Sequence, residues 1–229
     1  MRLRVDVAAD VPIMPWGDVH GPARAVVYDL IRSQDAEIAE ELHDVGWQGS
    51  SLRPVGISPP LFPGARPRRG AYATSPKGVI SMGSPVPRIA ACLLAAMAGR
   101  TEIRWGSVVL SVVGVQLDSS MNHSEGVAVL EAVSPVLVRH DGMYILPDDE
   151  NFPKGLTHNL RHKADLLGLA NDVEVEVLDF GPRRRFDVAK GFRIGATARV
   201  RVTAAPQLLD AIYEWGLGLS TVEGFGWIR

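Results

Sequence analysis

The 229-residue chain is 46% hydrophobic and 22% charged, too apolar for disorder and too charged for a membrane protein. Its 24 basic and 26 acidic side chains give a net charge of −2, so a polyanion would have to meet locally gathered positive charge. The single cysteine, Cys92, excludes an intrachain disulfide and points to a reducing, cytoplasmic setting.

Leu3, Val5 and Val7 alternate with polar residues, as in a half-buried strand, and the segment lacks a signal-peptide core. Ala23, Val26, Val27, Leu30 and Ile31 then follow the i, i+3, i+4, i+7, i+8 pattern of an amphipathic helix. A second helix is expected from an Asp35 N-cap to near Gly46. The Pro- and Gly-rich stretch from Arg53 to Gly83 reads as short strands and loops. A helix over Pro87 to Ala98 and one or two strands over Thr101 to Leu117 complete the first half. The longest apolar run, Ile89 to Ala98, falls short of the ~20 residues that cross a bilayer, so no membrane association is expected.

The polar stretch Asp118 to Gly126 is expected to join two domains, residues 1–120 and 121–229. Beyond it the element order repeats. Val127 to Val138 is a strand pair or one long strand, Asp141-Gly142 a turn, and Leu156, Leu160, Ala164 and Leu167 one helical face. Val173 to Leu178 and Phe192 to Val202 alternate as strands, Pro206 opens a helix, and Phe225 to Ile228 is a last strand. Two successive β-α-β-β-α-β units predict an α+β fold of two tandem ferredoxin-like (RRM-like) domains.

Glycine is concentrated near the end, at Gly216, Gly218, Gly224 and Gly226. Glycine permits positive φ and close backbone approach, and successive N–H groups in such a turn can cradle an anion, with Ser220 and Thr221 as hydroxyl donors. A tight helix-to-strand connection is the plainer reading of the same loop. It is not a Walker A motif, because no Gly-Lys-Ser/Thr follows, nor a dinucleotide fingerprint, because a helix precedes it and a strand follows.

The ending Trp215-Gly-Leu-Gly-Leu-Ser-Thr-Val-Glu-Gly-Phe-Gly-Trp-Ile228 resembles the glycine-rich signature of the CRISPR-associated endoribonucleases that cut the long CRISPR transcript within its repeats, a RAMP-superfamily group. Tyr28-Asp-Leu-Ile-Arg-Ser and Leu42-His-Asp-Val45 resemble that family's first helix and Leu-His element. Val133-Ser-Pro-Val-Leu-Val138 resembles the strand opening its second domain, and Arg183-Arg-Arg-Phe186 its basic hairpin. The matches run in order along nearly the whole chain.

The resemblance implies RNA cleavage without metal or other cofactor, in which a 2′-hydroxyl attacks the adjacent phosphorus. The ends left are a 2′,3′-cyclic phosphate and a 5′-hydroxyl. It implies His43 as acid or base with Tyr28 assisting, and Arg183, Arg184, Arg185 and the glycine loop as RNA contacts; Arg53, by its place in the sequence, is a further candidate for stabilising the phosphorane charge. CRISPR repeat RNA is the implied partner; other CRISPR-associated proteins and a homodimer are left open. An imidazole suits this chemistry because its ordinary pKa is about 6.5. At about 100° per residue, Tyr28 and His43 both project off their helices' apolar stripes, so neither is expected in the core. Taken alone, His43 also reads as a last-turn histidine on the helix dipole, and Tyr28 as a surface or interface tyrosine.

The sequence departs from the family in one respect. The lysine that often follows the histidine is missing from Gly46 to Ser51, and the nearest cation, Arg53, is a poor proton donor. A slow enzyme, or a module that holds CRISPR RNA without cutting, fits this departure; a ferredoxin-like binder of small molecules is a third reading. Arg66, Arg68 and Arg69 form another basic run, and Arg193, Arg199 and Arg201 are expected on one face of one strand. Phe186 and Phe192 are candidates for base stacking, with Phe192 better suited to the core. His158 and His162, at i, i+4, read as surface residues rather than zinc ligands, and Asp148, Asp149 and Glu150 as a solvated turn.

Overall fold

The computed structural model describes residues 1–118, 123–188 and 191–229. In the first half, β1 (Arg2–Ala9) and β2 (Ile13–Met14) lead into α1 (Gly17–His20), α2 (Ala23–Arg32) and α3 (Ala36–Asp44). Next come β3 (Gly56–Ile57), β4 (Tyr72–Ala73), β5 (Gly78–Gly83), α4 (Pro87–Met97), β6 (Glu102–Trp105) and β7 (Val108–Leu117). The second half starts with β8 (Val127–Glu131), the hairpin of β9 (Val138–His140) and β10 (Met143–Ile145), and α5 (Phe152–Leu167). It continues with β11 (Val173–Phe180), the hairpin of β12 (Arg184–Val188) and β13 (Gly191–Gly195), β14 (Ala198–Ala204), α6 (Pro206–Trp215) and a 3₁₀ turn, Thr221–Glu223.

Leu3, Val5 and Val7 are buried, and β1 lies at the centre of an antiparallel sheet ordered β3-β5-β1-β7-β6. Without the added edge strand β6, this is the ferredoxin-like order. The second sheet, β11-β14-β8, gains a fourth position through a single bridge between Ala132 and Ile228. Each half has its own apolar core, one from Leu3 to Leu110 and one from Leu130 to Ile228. The fold is the tandem ferredoxin-like α+β arrangement that the element order predicted. The expected boundary at 120/121 lies outside the described residues.

Two expected strands are corrected. Phe225 to Ile228 is no regular strand: Gly224 and Gly226, at φ +86° and +66°, interrupt the extended backbone. Gly226 N–H then bonds the Pro135 carbonyl at 2.8 Å. Phe192 to Val202 is two strands, because β13 ends at Gly195 and β14 begins at Ala198. Arg193 therefore belongs to a hairpin, while Arg199 and Arg201 lie on β14 opposite Glu131 and Glu176.

The halves are tied together by their ends. Arg2 is buried and donates to the carbonyls of Tyr213 (3.2 Å) and Ile228 (2.7 Å). Its guanidinium also pairs with Asp118 at 2.9 Å and lies over the Tyr213 and Trp227 rings. Burial pulls the Arg2 pKa down, against the favourable charges of Tyr213 and Asp118. Val222, from the glycine-rich segment, inserts into the first domain's core. Among the described residues no helix is long and apolar enough to cross a membrane.

Candidate active site

The site is built around the end of α3. Asp35 caps its start by accepting from Ile38 N–H at 3.1 Å, and Arg88 holds the same carboxylate at 2.7 Å. At the other end, the N–H groups of Val45 and Gly46 both reach the Glu41 carbonyl. Gly46, at φ +94°, then reverses the chain so tightly that a Cβ would strike the Ser50 carbonyl. The reversed loop, closed by Trp47 N–H to the Leu52 carbonyl at 3.0 Å, carries Arg53 back under the last turn of the helix.

Arg53 binds that helix end through several donors. Nε donates to the Leu42 carbonyl at 2.7 Å and to the Tyr28 hydroxyl at 2.8 Å, Nη2 to the His43 carbonyl at 3.1 Å, and Nη1 to the Ser51 carbonyl at 2.9 Å. A guanidinium here satisfies carbonyls that have no partner within the helix and opposes the negative end of the helix dipole. The Tyr28 hydroxyl donates to the same Leu42 carbonyl at 3.1 Å.

His43 projects outward, its side chain 53% exposed. Its ring meets the Tyr28 ring edge-on, and Nδ1 lies 2.7 Å from an Asp44 carboxylate oxygen. Among the described residues its Nε2 has no hydrogen-bond partner. His43 thus lies off the apolar face, as expected, but Tyr28 does not: it is 5% exposed and part of the core. The stripe over Ala23, Val27 and Leu30 accounts only for the sheet side of α2. α3 packs along its flank and covers Tyr28.

Arg53 also lines a cavity of about 210 Å³ between the two domains. Arg24 joins it from α2, and Arg139, Tyr144, Lys163 and Ser220 face it from the second domain. Arg24 lies 3.9 Å from Glu223 and over the Tyr28 ring. Lys163 is 1% exposed, its Nζ donating to the Gly216 carbonyl at 2.6 Å and lying 4.5 Å from the Trp215 ring centroid. Burial lowers its pKa to about 7.

The four glycines of the terminal loop are buried, three of them against protein backbone. A Cβ on Gly216 would meet the Gly226 carbonyl, one on Gly218 the Leu137 carbonyl, and one on Gly226 the Leu217 carbonyl; Gly224 lies against His20. Thr221 turns inward and donates to the Val55 carbonyl at 2.8 Å, so Ser220 is the loop hydroxyl left half-exposed at the cavity. The glycines of this loop allow close packing of the tail against Leu137 and Leu217.

Arg183, Arg184 and Arg185 are exposed on and before β12. Arg185 lies over the Phe192 ring at 4.3 Å and pairs with Asp187 at 3.4 Å. The two phenylalanines are placed opposite to expectation. Phe192 is 48% exposed, whereas Phe186 packs edge-on to His20 and Phe225. The register explains it: Phe186 pairs with Arg193 and Asp187 with Phe192, adjacent rungs that point to opposite hairpin faces. His20, buried beneath Phe186, stacks on Phe225 at 4.4 Å, and desolvation lowers its pKa to about 4.

Tyr144, Arg183, Phe192 and Arg193 line a second hollow of about 300 Å³, and Arg139 lies over Tyr144 at 4.3 Å. Arg66, Arg68, Arg69, His158 and His162 are exposed, as are Asp148 and Glu150. Among the described residues, no three His, Cys, Asp or Glu side chains gather as a metal-binding group. Sequence reasoning did not single out Asp44, Arg139, Tyr144 or Lys163. Lys163 did leave a signal, since it follows Leu156 and Leu160 at helical spacing on the apolar face of α5.

Residues 119–229 match the model of the CRISPR-associated protein Cas6 C-terminal family. No curated protein matches the chain in sequence. Among solved structures, a Cas6-related protein from Pyrococcus furiosus superposes with a TM-score of 0.82 at 17% identity, over 100% of this chain and 97% of that one. A RAMP protein that binds different RNA substrates matches with a TM-score of 0.81 at 20% identity, over 100% and 98%. A Cas6 in complex with its product matches at 0.67 and 14%, again over 100% and 98%. At such identities the superpositions establish a shared fold. Residues 119–229 thus match a Cas6 C-terminal domain in sequence, and the whole chain shares the fold of the Cas6 structures.

Proposed function

We propose that this protein binds CRISPR repeat RNA and cuts it by internal attack of a 2′-hydroxyl, without a metal ion. The observation that carries the reading is the exposed His43 imidazole, tied through Nδ1 to Asp44 and anchored by Arg53 beside a cavity lined with cations. With Nδ1–H donating to the Asp44 carboxylate, Nε2 holds the lone pair, the form of the ring that accepts a proton. Nε2 takes the 2′-hydroxyl proton as O2′ bonds to phosphorus. The bond from phosphorus to O5′ breaks, and O5′ takes a proton from water to become the 5′-hydroxyl, leaving a 2′,3′-cyclic phosphate. The arginines at the cavity neutralise charge on the equatorial phosphate oxygens.

Tyr28 acts as a positioning residue, its hydroxyl committed to Leu42 and Arg53 and its ring supporting that of His43. The same commitment, with no lysine between Gly46 and Ser51, favours a second reading in which the protein holds RNA and cuts slowly or not at all. Repeat RNA incubated with the protein in chelator separates the two. Cleavage that persists there, and stops when the scissile nucleotide is 2′-deoxy, is the expected result; tight binding without products supports the holding module. His43→Ala should lower cleavage by about 10²-fold or more with RNA affinity little changed. Parental cleavage by that variant would remove His43 from the mechanism.

A further inference from the structure

Lys163 has no part in the chemistry proposed above, yet its position is a costly one for a lysine. An ammonium has three donors, and among the described residues the Lys163 Nζ has one hydrogen-bond partner, the Gly216 carbonyl. It is buried in the wall of the interdomain cavity, where no carboxylate among the described residues pairs with it. The charged and titratable groups facing that space are Arg24 from α2, Arg53 from the loop after α3, Arg139 from β9, Tyr144 from β10 and Glu223 from the 3₁₀ turn. The one carboxylate among them lies beside Arg24, at 3.9 Å. An excess of cations around a small polar cavity, with ammonium donors unfilled, calls for an anion of one or two oxygens.

We infer that this cavity is a phosphodiester pocket in which the Lys163 ammonium, backed by Arg53 and Arg139, receives a non-bridging oxygen of one RNA phosphate. The inference rests on the RNA-binding reading above and adds a consequence for its pH dependence. The empty pocket lowers the Lys163 pKa to about 7 through desolvation. A bound anion favours the charged form, so the phosphate carries a proton into the site. Below pH 7 the lysine is already charged and affinity is flat. Above it, affinity falls by up to tenfold per pH unit until the pKa of the bound state is reached.

The test uses the full chain labelled with ¹³C-lysine, the Lys163 signal being assigned with Lys163→Arg. Dimethyl phosphate, which does not itself titrate near neutrality, is the probe. The expected result is a Lys163 midpoint near pH 7 that dimethyl phosphate raises by about one unit or more, and a repeat-RNA affinity that declines from pH 7 to 9 in the parent. In Lys163→Met that decline should vanish; if this variant does not fold, Lys163→Arg, charged throughout the range, should show the same flat profile. A Lys163 midpoint unmoved by both dimethyl phosphate and RNA overturns the pocket, and leaves the nuclease reading intact if RNA is still cut. A shifted midpoint in a protein that binds no repeat RNA keeps the pocket and removes the RNA reading.

Discussion

The ring of His43 meets that of Tyr28 edge-on, with centroids 5.5 Å apart, and both residues are held by Arg53. One guanidinium therefore fixes the helix end, the tyrosine hydroxyl and the backbone from which the imidazole projects. Arg53→Ala should destabilise the protein by about 2–3 kcal/mol, read by denaturant titration, because charge-assisted hydrogen bonds to helix-end carbonyls are lost. Cleavage should fall more than RNA affinity. Arg53→Lys should rescue little of either, since an ammonium lacks the planar fork. Full activity in Arg53→Lys would show that its geometry is unimportant.

The exposed basic and aromatic groups of the two hairpins should govern affinity rather than rate. Arg184→Ala should weaken repeat-RNA binding and reduce the slope of log K against log salt by about 1, as expected for a lost phosphate contact. Tyr144→Ala should weaken binding by about 1–3 kcal/mol with the salt slope nearly unchanged, the mark of lost stacking. Filter binding over a range of salt distinguishes the two.

Gly226 and Gly142 both have positive φ, +66° and +80°, but different surroundings. A Cβ on Gly226 falls on the Leu217 carbonyl, whereas one on Gly142 meets open space. Gly142→Ala should cost about 1 kcal/mol from backbone conformation alone. Gly226→Ala should cost several times more and loosen the docking of the tail, measured as a lower melting temperature. Equal losses would refute the packing role given to the loop.

His20 has a folded pKa of about 4, below its ordinary value of 6.5, because burial between Phe186 and Phe225 disfavours the imidazolium. The unfolded chain thus takes up the proton first as pH falls. The contribution is fully present above pH 6.5 and is lost as pH falls toward 4, for a total on the order of 3 kcal/mol. His20→Phe should flatten that part of the stability profile, as read by urea titrations between pH 4 and 7.

What the sequence made legible was whatever repeats along the chain. The spacing of Ala23, Val27 and Leu30 marked α2, Asp35 marked the start of α3, and two rounds of the same element order identified the tandem domains. What it concealed depends on partners distant in sequence. Tyr28 became a core residue because α3 folds against its flank, which one helix's periodicity does not record. Phe186 and Phe192 exchanged their expected places because the hairpin register fixes their faces. Lys163 carries the same lesson: its place on the Leu156 and Leu160 face was visible, but the cations facing it across the cavity come from other parts of the chain.

Val222 completes the first core while Leu219 and Ile228, on either side of it, bridge to Leu137 and Ala132 of the second. One short segment is therefore shared property, and neither lobe can melt without stripping a wall from its neighbour. Calorimetry should show a single endotherm for the pair rather than two. The same stitching resists clamshell motion, so the slot between the lobes keeps a set width, and any adjustment falls to the outlying hairpins.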